Sequence, residues 1–188
     1  MCYAEPNLAT DQTHIRCSLN KAVKQHFPTA RIIPSASPIP YPSSFKPGGT
    51  LLITTSSPTS RITKQGSDHM GRWSYVLLAT KQSHMICIVT LYRPCKQNYN
   101  TAGPFTVHRQ QWTLLREQGI LNPLPRDQFD QDLINFIQEQ QSQGHHLIIS
   151  GDFNGTKSST PLFEQLYHVG LRDVVADRHF DLPSFRTY

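Results

Sequence analysis

The chain has 188 residues, of which 37% are hydrophobic and 16% charged, and its formal net charge is +5. This size and composition fit one domain that can bury a sizeable core, and two domains are not expected. No apolar run approaches the roughly 20 residues that a membrane-spanning helix needs, so we expect no membrane-integral segment. The positive charge has the sign expected of a protein that meets polyanions.

The first twelve residues lack both the basic region and the apolar region of a secretory signal peptide, so an intracellular, reducing compartment is expected. The four cysteines show no Cys-x-x-Cys pairing, which argues against a structural zinc site. Cys87 lies in an apolar strand pattern and is predicted to be a small core residue. Cys2 and Cys95 lie beside turn-forming residues and are predicted to be free thiols.

Residues 28–49 contain six prolines and end in Gly48-Gly49, a composition that disfavours helix and central strand. We predict a Pro/Ser-rich surface loop there. An interdomain linker is the alternative, but too little chain precedes it to form a domain. Three strand-like runs rich in Val, Ile, Leu and Tyr follow, at residues 49–55, 72–80 and 84–94. The second and third are predicted to form an antiparallel hairpin.

Two amphipathic helices are predicted next, over residues 106–119 and 125–144, each ending at a glycine. An apolar strand then runs into Gly151-Asp152-Phe153-Asn154, and a further helix is predicted over residues 160–170. The alternation of strands and helices predicts the α/β class, with a sheet covered by helices.

Asp152 and Asn154 follow a buried-type strand, at the edge of a sheet where α/β proteins commonly bind ligands. Their side chains point to the same side because strand side chains alternate. A strand-ending turn is the structural alternative, since Asp and Asn are common in turns. A carboxylate can bind a cation or align water, and a carboxamide can donate to a phosphate oxygen. Tyr92 and Arg93, at the end of another strand, could each contact phosphate.

These segments resemble a known family. "LIISGDFN" is similar to the Gly-Asp-Phe/Leu-Asn motif of the endonuclease/exonuclease/phosphatase superfamily, the fold of DNase I and apurinic/apyrimidinic endonucleases, and "VTLYRP" resembles its tyrosine-bearing strand. Together with "KPGG" and "GRW", the order resembles endonuclease segments of non-LTR retrotransposons. The resemblance covers residues 2–188 and implies a DNase I-like fold, a two-layer β-sandwich of mixed sheets flanked by helices.

The resemblance also implies roles for individual residues. In "YAEPN", Glu5 occupies the position of the family's metal ligand, although Ala4 replaces the usual glutamine. Tyr92 would hydrogen-bond the phosphate, Asp152 would orient or activate the attacking water, and Asn154 would hold the scissile phosphate. Arg93 is a further substrate-binding candidate. The implied cofactor is Mg²⁺ or Mn²⁺, which polarises the phosphoryl group and stabilises the departing oxygen.

Some family elements have no counterpart here. The family has a strand with a metal-site asparagine before the Glu5 segment, and an aspartate and an Asp-His pair near its C-terminus. Ser67-Asp68-His69 imitates the latter, but it lies between early strands and is interpreted as a loop coincidence. His145 and His146 lie at the far end of their strand from Asp152, and Asp173 and Asp177 are interpreted as turn or capping residues. We therefore expect one partial domain, residues 1–188, truncated at both ends and with impaired or no activity.

The expected function by family is metal-dependent phosphodiester hydrolysis of endonuclease type, which nicks DNA. The alternatives are a non-catalytic remnant with weak nucleic-acid binding, and a phosphatase of the same superfamily. The expected partner is DNA, with no membrane, and the parent element could also encode a reverse transcriptase domain. A monomer is expected, and a nuclear location if the chain is functional.

Overall fold

A computed structural model of the chain describes residues 1–81, 84–97, 103, 105–155 and 160–178. The backbone divides into two compact units, residues 1–154 and 155–188. The described strands are β1 (Cys2–Ala4), β2 (Arg31–Ser35), β3 (Thr50–Thr54), β4 (Ile62–Ser67), β5 (Trp73–Ala79), β6 (Met85–Tyr92) and β7 (His145–Asp152). The described helices are α1 (Thr13–His26), a 3₁₀ turn (Thr59–Arg61), α2 (Val107–Glu117), α3 (Pro125–Ser142), α4 (Leu162–His168) and α5 (Val174–Arg178).

The first sheet contains β1, β3 and β2 in that order, and both pairings are antiparallel. The central strand β3 is buried along its whole length. Its side chains alternate between two faces, as strand geometry requires. Leu51 and Ile53 pack with Leu19 and Val23 of α1 on one face, whereas Leu52 belongs to a different cluster on the other.

The second sheet has the order β4, β5, β6, β7. The β5–β6 pair is the predicted antiparallel hairpin, in register from Trp73 opposite Leu91 to Ala79 opposite Met85. Strands β6 and β7 are parallel, and α2 and α3 lie between them in the chain. A helical crossover is the usual connection between parallel neighbours.

The two sheets of the first unit pack face to face. Ile33, Leu52 and Val76, from β2, β3 and β5, form one buried cluster. On the opposite face of the second sheet, Trp73 makes an edge-on contact with Phe129 of α3, with ring centroids 5.8 Å apart. Helix α1 therefore covers the outer face of one sheet and α3 that of the other. This confirms the α/β class, with mixed, largely antiparallel sheets.

The prediction of a surface loop over residues 28–49 is wrong in part, because β2 lies inside this segment. β2 is the edge strand of its sheet, a position where a proline such as Pro34 is tolerated because no neighbour needs its missing N–H. Farther along, Lys46 is buried, donates to the carbonyl of Ser37 and forms an ion pair with Asp11 at 3.0 Å. A buried, paired lysine fastens the rest of the segment to the domain.

Helix α1 was not predicted from the sequence. Its apolar contacts to the sheet come from Leu19 and Val23, but none of its residues is fully buried. The sequence does carry a helical pattern here, since Ile15, Leu19 and Val23 recur at four-residue spacing.

The second unit contains the helix predicted near residues 160–170, which is α4. Asp173 precedes α5, and its side chain accepts hydrogen bonds from the backbone N–H groups of Val175 and Ala176, which confirms the interpretation of Asp173 as a cap.

Whether the chain folds as one domain stays a prediction. Among the described residues, no helix is long and apolar enough to cross a bilayer.

Candidate functional site

The site lies at the ends of the parallel strands β6 and β7. Tyr92 and Asp152, the last residues of the two strands, are directly paired in the register. The backbone N–H of Arg93 donates to the carbonyl of Asp152 at 2.9 Å, so the pairing continues past the end of β6. Parallel strands end at the same edge of a sheet, which places the two polar segments side by side.

Gly151 lies within β7 and is required there by the close approach of β6. Its φ is +148°, and a Cβ atom at this position would lie 2.0 Å from the carbonyl oxygen of Leu91. A side chain would force the strands apart. The glycine before Asp152 therefore fixes the distance between the strands that carry Tyr92 and Asp152.

Glu5 reaches the same edge from the other sheet. It follows β1 with a φ of +54°, and its backbone N–H donates to the carbonyl of Gly49 at 3.0 Å. The hydroxyl of Tyr92 donates to Oε1 of Glu5 at 3.1 Å, joining residues 87 positions apart in the chain. The fold thus brings the predicted metal ligand and the predicted phosphate contact together.

Burial strongly raises the pKa of the Tyr92 phenol, and the nearby Cys95 and Glu5 raise this pKa further. A buried phenoxide beside a carboxylate would be unfavourable, so the neutral phenol persists. Tyr92 is therefore a hydrogen-bond donor over the whole physiological pH range.

Asp152 and Asn154 form a local turn that fixes both side chains. Oδ1 of Asp152 accepts the backbone N–H of Asn154 at 2.9 Å, and Asn154 has a φ of +45°, a conformation that asparagine tolerates. Nδ2 of Asn154 donates to the carbonyl of Arg93 at 2.6 Å, and its Oδ1 accepts from the Cys95 thiol at 3.2 Å. Asp152 and Asn154 therefore form the strand-ending turn that was the structural alternative, and they are also the residues of the predicted site.

Arg93 lies behind the site. Its side chain is 2% exposed and forms a double hydrogen bond with the carboxylate of Asp130 on α3, with Nε 2.6 Å from Oδ1. Nη1 donates to the carbonyl of Phe153 at 3.4 Å. The guanidinium of Arg93 therefore holds the backbone between Asp152 and Asn154. The sequence had instead predicted that Arg93 contacts the substrate.

Arg126, at the start of α3, was not found by sequence reasoning. Its Nη1 donates to the carbonyl of Pro94 at 2.8 Å, and its Nη2 donates to the carbonyl of Asn154. One guanidinium therefore ties the segment that follows β6 to the one that follows β7. Only the fold brings these carbonyls together, so the sequence carries no signal for this role.

A pocket of about 430 Å³ opens beside the Glu5–Tyr92 pair. Its remaining described lining residues include Pro47, Cys95, Phe105, Val107 and His108. Gly48 lies beneath it, because a Cβ atom there would be 2.5 Å from Cγ2 of Val107 and 3.6 Å from the ring of Tyr92. The "KPGG" motif thus allows the start of α2 to approach Tyr92.

His108 is the second residue that sequence reasoning missed. It is 8% exposed, and its Nδ1 has no hydrogen-bond partner within the described parts of the chain. Burial lowers the pKa of the imidazole, and the neighbouring Arg109 lowers it further. A buried polar atom without a partner is uncommon in a folded protein. The wall of the pocket thus contains one such atom.

Other candidate motifs lie away from this edge. Asp68 of the "SDH" sequence accepts hydrogen bonds from the guanidinium of Arg72, at 2.8 and 2.9 Å, and so has a structural role. His145 and His146 lie at the beginning of β7, beside Met85 and Ile86, at the opposite end of the strand from Asp152. These positions agree with their exclusion as site residues.

The carboxylate of Glu5 fits a hard divalent cation. Tyr92 binds only one of its oxygens, and Mg²⁺ is typically bound by one or two carboxylates together with water and substrate phosphate. No group of three or more His, Cys, Asp or Glu side chains suited to a metal occurs among the described residues.

No protein-family model and no curated protein sequence matches this chain.

Proposed function

We propose that the chain is a metal-dependent phosphodiester hydrolase of the endonuclease type that nicks DNA, with the DNase I-like fold of the endonuclease/exonuclease/phosphatase superfamily. The observation that carries this proposal is the convergence of Glu5, Tyr92 and Asp152 at one sheet edge, through the Tyr92–Glu5 hydrogen bond and the Tyr92–Asp152 register. The net charge of +5 favours a polyanionic substrate.

Each side chain has a task in phosphate hydrolysis that matches its contacts. The neutral phenol of Tyr92 has one hydrogen, which Glu5 accepts in the structure; it would donate this hydrogen to a non-bridging phosphate oxygen once Glu5 binds a cation instead. The carboxylate of Asp152 accepts a proton from the attacking water and orients its lone pair towards phosphorus. An amide nitrogen carries two donors, so the Nδ2 of Asn154 can bind Arg93 with one and a phosphate oxygen with the other.

Glu5 would hold Mg²⁺ or Mn²⁺. When bound, the ion supplies charge neutralisation on the phosphoryl group and on the departing oxygen. The support for this assignment is the partly open carboxylate of Glu5 at the pocket, next to the phenol that would bind the same phosphate.

The test is nicking of supercoiled plasmid in the presence and absence of Mg²⁺. We expect Asp152→Asn to lower the nicking rate by about 100-fold or more, the range found when an acid–base group is removed. Glu5→Gln should also lower the rate, because it removes the charge that would hold the cation. Asp127→Asn and Glu117→Gln, which make the same charge changes at exposed positions of α3 and α2, are the matched controls and should retain the rate.

Two results would contradict the proposal. Salt-dependent DNA binding without Mg²⁺-dependent nicking would identify a non-catalytic nucleic-acid binder. Release of inorganic phosphate from a phosphomonoester, without plasmid nicking, would identify a phosphatase that uses the same residues.

A further inference from the structure

Cys95 lies beside the two side chains to which the proposed function assigns the phosphate. Its thiol donates to Oδ1 of Asn154 at 3.2 Å. Burial raises the pKa of the Tyr92 phenol and Cys95 raises it further, so the thiol is also within electrostatic reach of Tyr92. Cys95 and Tyr92 line the same pocket, and Cys95 is exposed. Because substitutions of exposed residues change stability little, the contacts of Cys95 concern the site more than the core.

The backbone restrains Cys95 and Asn154 relative to each other. Arg126 donates to the carbonyl of Pro94, the residue before Cys95, at 2.8 Å, and it also donates to the carbonyl of Asn154. The ring of Pro94 fixes its own φ. Oδ1 of Asp152 accepts the backbone N–H of Asn154 at 2.9 Å. The thiol and the carboxamide therefore meet from two backbone segments that one guanidinium ties together.

The carboxamide of Asn154 is held at both of its ends. Nδ2 donates to the carbonyl of Arg93 at 2.6 Å, and Oδ1 accepts from Cys95. The first bond alone would leave the amide plane free to swing, because the terminal torsion of an asparagine has broad energy wells. The second bond removes this freedom and keeps Oδ1, which would repel a phosphate, directed at the thiol. Nδ2 has two hydrogens, so one of them keeps a fixed direction for a ligand.

We propose that Cys95 is a positioning residue of this site, whose thiol holds the carboxamide of Asn154 so that Nδ2 presents a hydrogen to the phosphate. The inference rests on the proposed function and adds a residue to it. Cys95 acts through Asn154 and takes no part in the transfer of protons or electrons. A serine hydroxyl can make the same hydrogen bond, whereas alanine has no donor to replace the thiol.

The first measurement follows the side-chain NH₂ signals of Asn154 by NMR in EDTA, where no turnover occurs. Asn154→Gly assigns these signals by removing them, and glycine tolerates the positive φ of this position. We expect a short DNA duplex at low salt to shift the signals in the wild type and in Cys95→Ser, and this shift to be lost in Cys95→Ala. Cys17→Ala, which removes an exposed thiol from α1, is the matched control and should respond like the wild type.

The second measurement is a double-mutant cycle on kcat for plasmid nicking. We expect Asn154→Gly to lower kcat by about 100-fold, the effect of losing one donor to the reacting group. Cys95→Ala should lower it by about tenfold, less than the about 100-fold that a displacement of about 1 Å can cause. The double variant should be no slower than Asn154→Gly, because coupled residues are not additive. Cys95→Ser should restore most of the rate.

DNA affinity in EDTA and the midpoint of urea unfolding separate positioning from a structural role. Both should be unchanged in Cys95→Ala, since many phosphate contacts determine the affinity. A loss of stability or affinity as large as the loss of rate would overturn the proposal. Additive losses in the cycle, an unchanged response of the Asn154 amide in Cys95→Ala, or equal rates of Cys95→Ser and Cys95→Ala would overturn it as well. A wild type that does not nick DNA would contradict the hydrolase function, and the amide signals would then decide alone whether Cys95 positions Asn154 for a phosphate.

Discussion

Arg72 and Arg93 have the same burial and chemistry but serve different regions of the molecule. Each is 2% exposed and binds an aspartate of α3, Asp132 and Asp130 respectively. Arg72 also binds Asp68 and lies 4.7 Å from the ring of Trp73, whereas Arg93 also donates to the backbone carbonyl of Phe153 in the site. Two buried ion pairs of the same kind can therefore differ in what they hold: Arg72 packs against a core aromatic ring, and Arg93 holds backbone at the candidate site.

The largest effect is expected from Arg72→Leu. Removing the guanidinium leaves the carboxylate of Asp68, whose side chain is 4% exposed, buried without its cation, and breaking a buried pair in this way costs about 3–5 kcal/mol. Urea unfolding measures this loss. Arg16→Leu, at an exposed position of α1, should be nearly neutral. The nicking rate of the folded fraction should stay close to that of the wild type. A large loss of this rate would show that the Arg72 region also supports the candidate site.

Arg126→Leu should show the opposite pattern. The variant loses the hydrogen bonds to the carbonyls of Pro94 and Asn154, and displacement of site groups by about 1 Å can lower a rate by about 100-fold. We expect a nicking rate lower by about 10- to 100-fold, with about 1–2 kcal/mol of lost stability.

Arg116→Leu is the matched control for Arg126. Arg116 also donates to a backbone carbonyl, that of Leu121, but away from the site edge. The control should keep its nicking rate. Arg126→Lys should recover only part of the rate, because an ammonium group lacks the planar fork that spans two carbonyls. Full activity of Arg126→Leu would refute the positioning role.

A smaller effect is expected from Gly48→Ala, compared with Gly119→Ala. Both glycines have positive φ, +87° and +90°, so alanine strains the backbone at each by about 1–2 kcal/mol. Only at Gly48 would the new methyl group meet a neighbour, Cγ2 of Val107 at 2.5 Å. We expect Gly48→Ala to lose about 1 kcal/mol more than Gly119→Ala and to lower nicking. Equal behaviour in both assays would show that the close approach to α2 is unimportant.

The smallest effect concerns two thiols, the buried Cys87 of β6 and the exposed Cys17 of α1. Burial raises the pKa of Cys87 from 9.0 to about 12. The unfolded thiol therefore releases its proton first as the pH rises from about 9 to about 12, and the folded state loses stability in that range. Between pH 9 and 10 the Cys87 contribution should fall by about 1 kcal/mol. Chemical unfolding should show a shallower pH dependence for Cys87→Ala than for the wild type, whereas Cys17→Ala should match the wild type.

Much of the central fold was predictable because its signals are local. The runs at residues 49–55, 72–80 and 84–94 became β3, β5 and β6, since β-branched and aromatic residues between turn-forming ones favour buried strands. Helices α2 and α3 followed from their periodicity. The strand β2 did not, because six prolines outweigh the few apolar residues that pair with β3 at the sheet edge. Helix α1 was missed although Ile15, Leu19 and Val23 recur at helical spacing.

The residue types of the candidate site, and the strand ends that carry them, could be predicted from the sequence alone. Asp152, Asn154 and Tyr92 could be selected because polar residues directly after apolar strands lie at a sheet edge. Tertiary structure alone decided which of these residues meet. Glu5 contacts Tyr92 across 87 positions, Arg93 turns inward to Asp130, and His108 faces a pocket. Such contacts depend on how two sheets and α3 pack, and packing brings together residues that no local pattern relates.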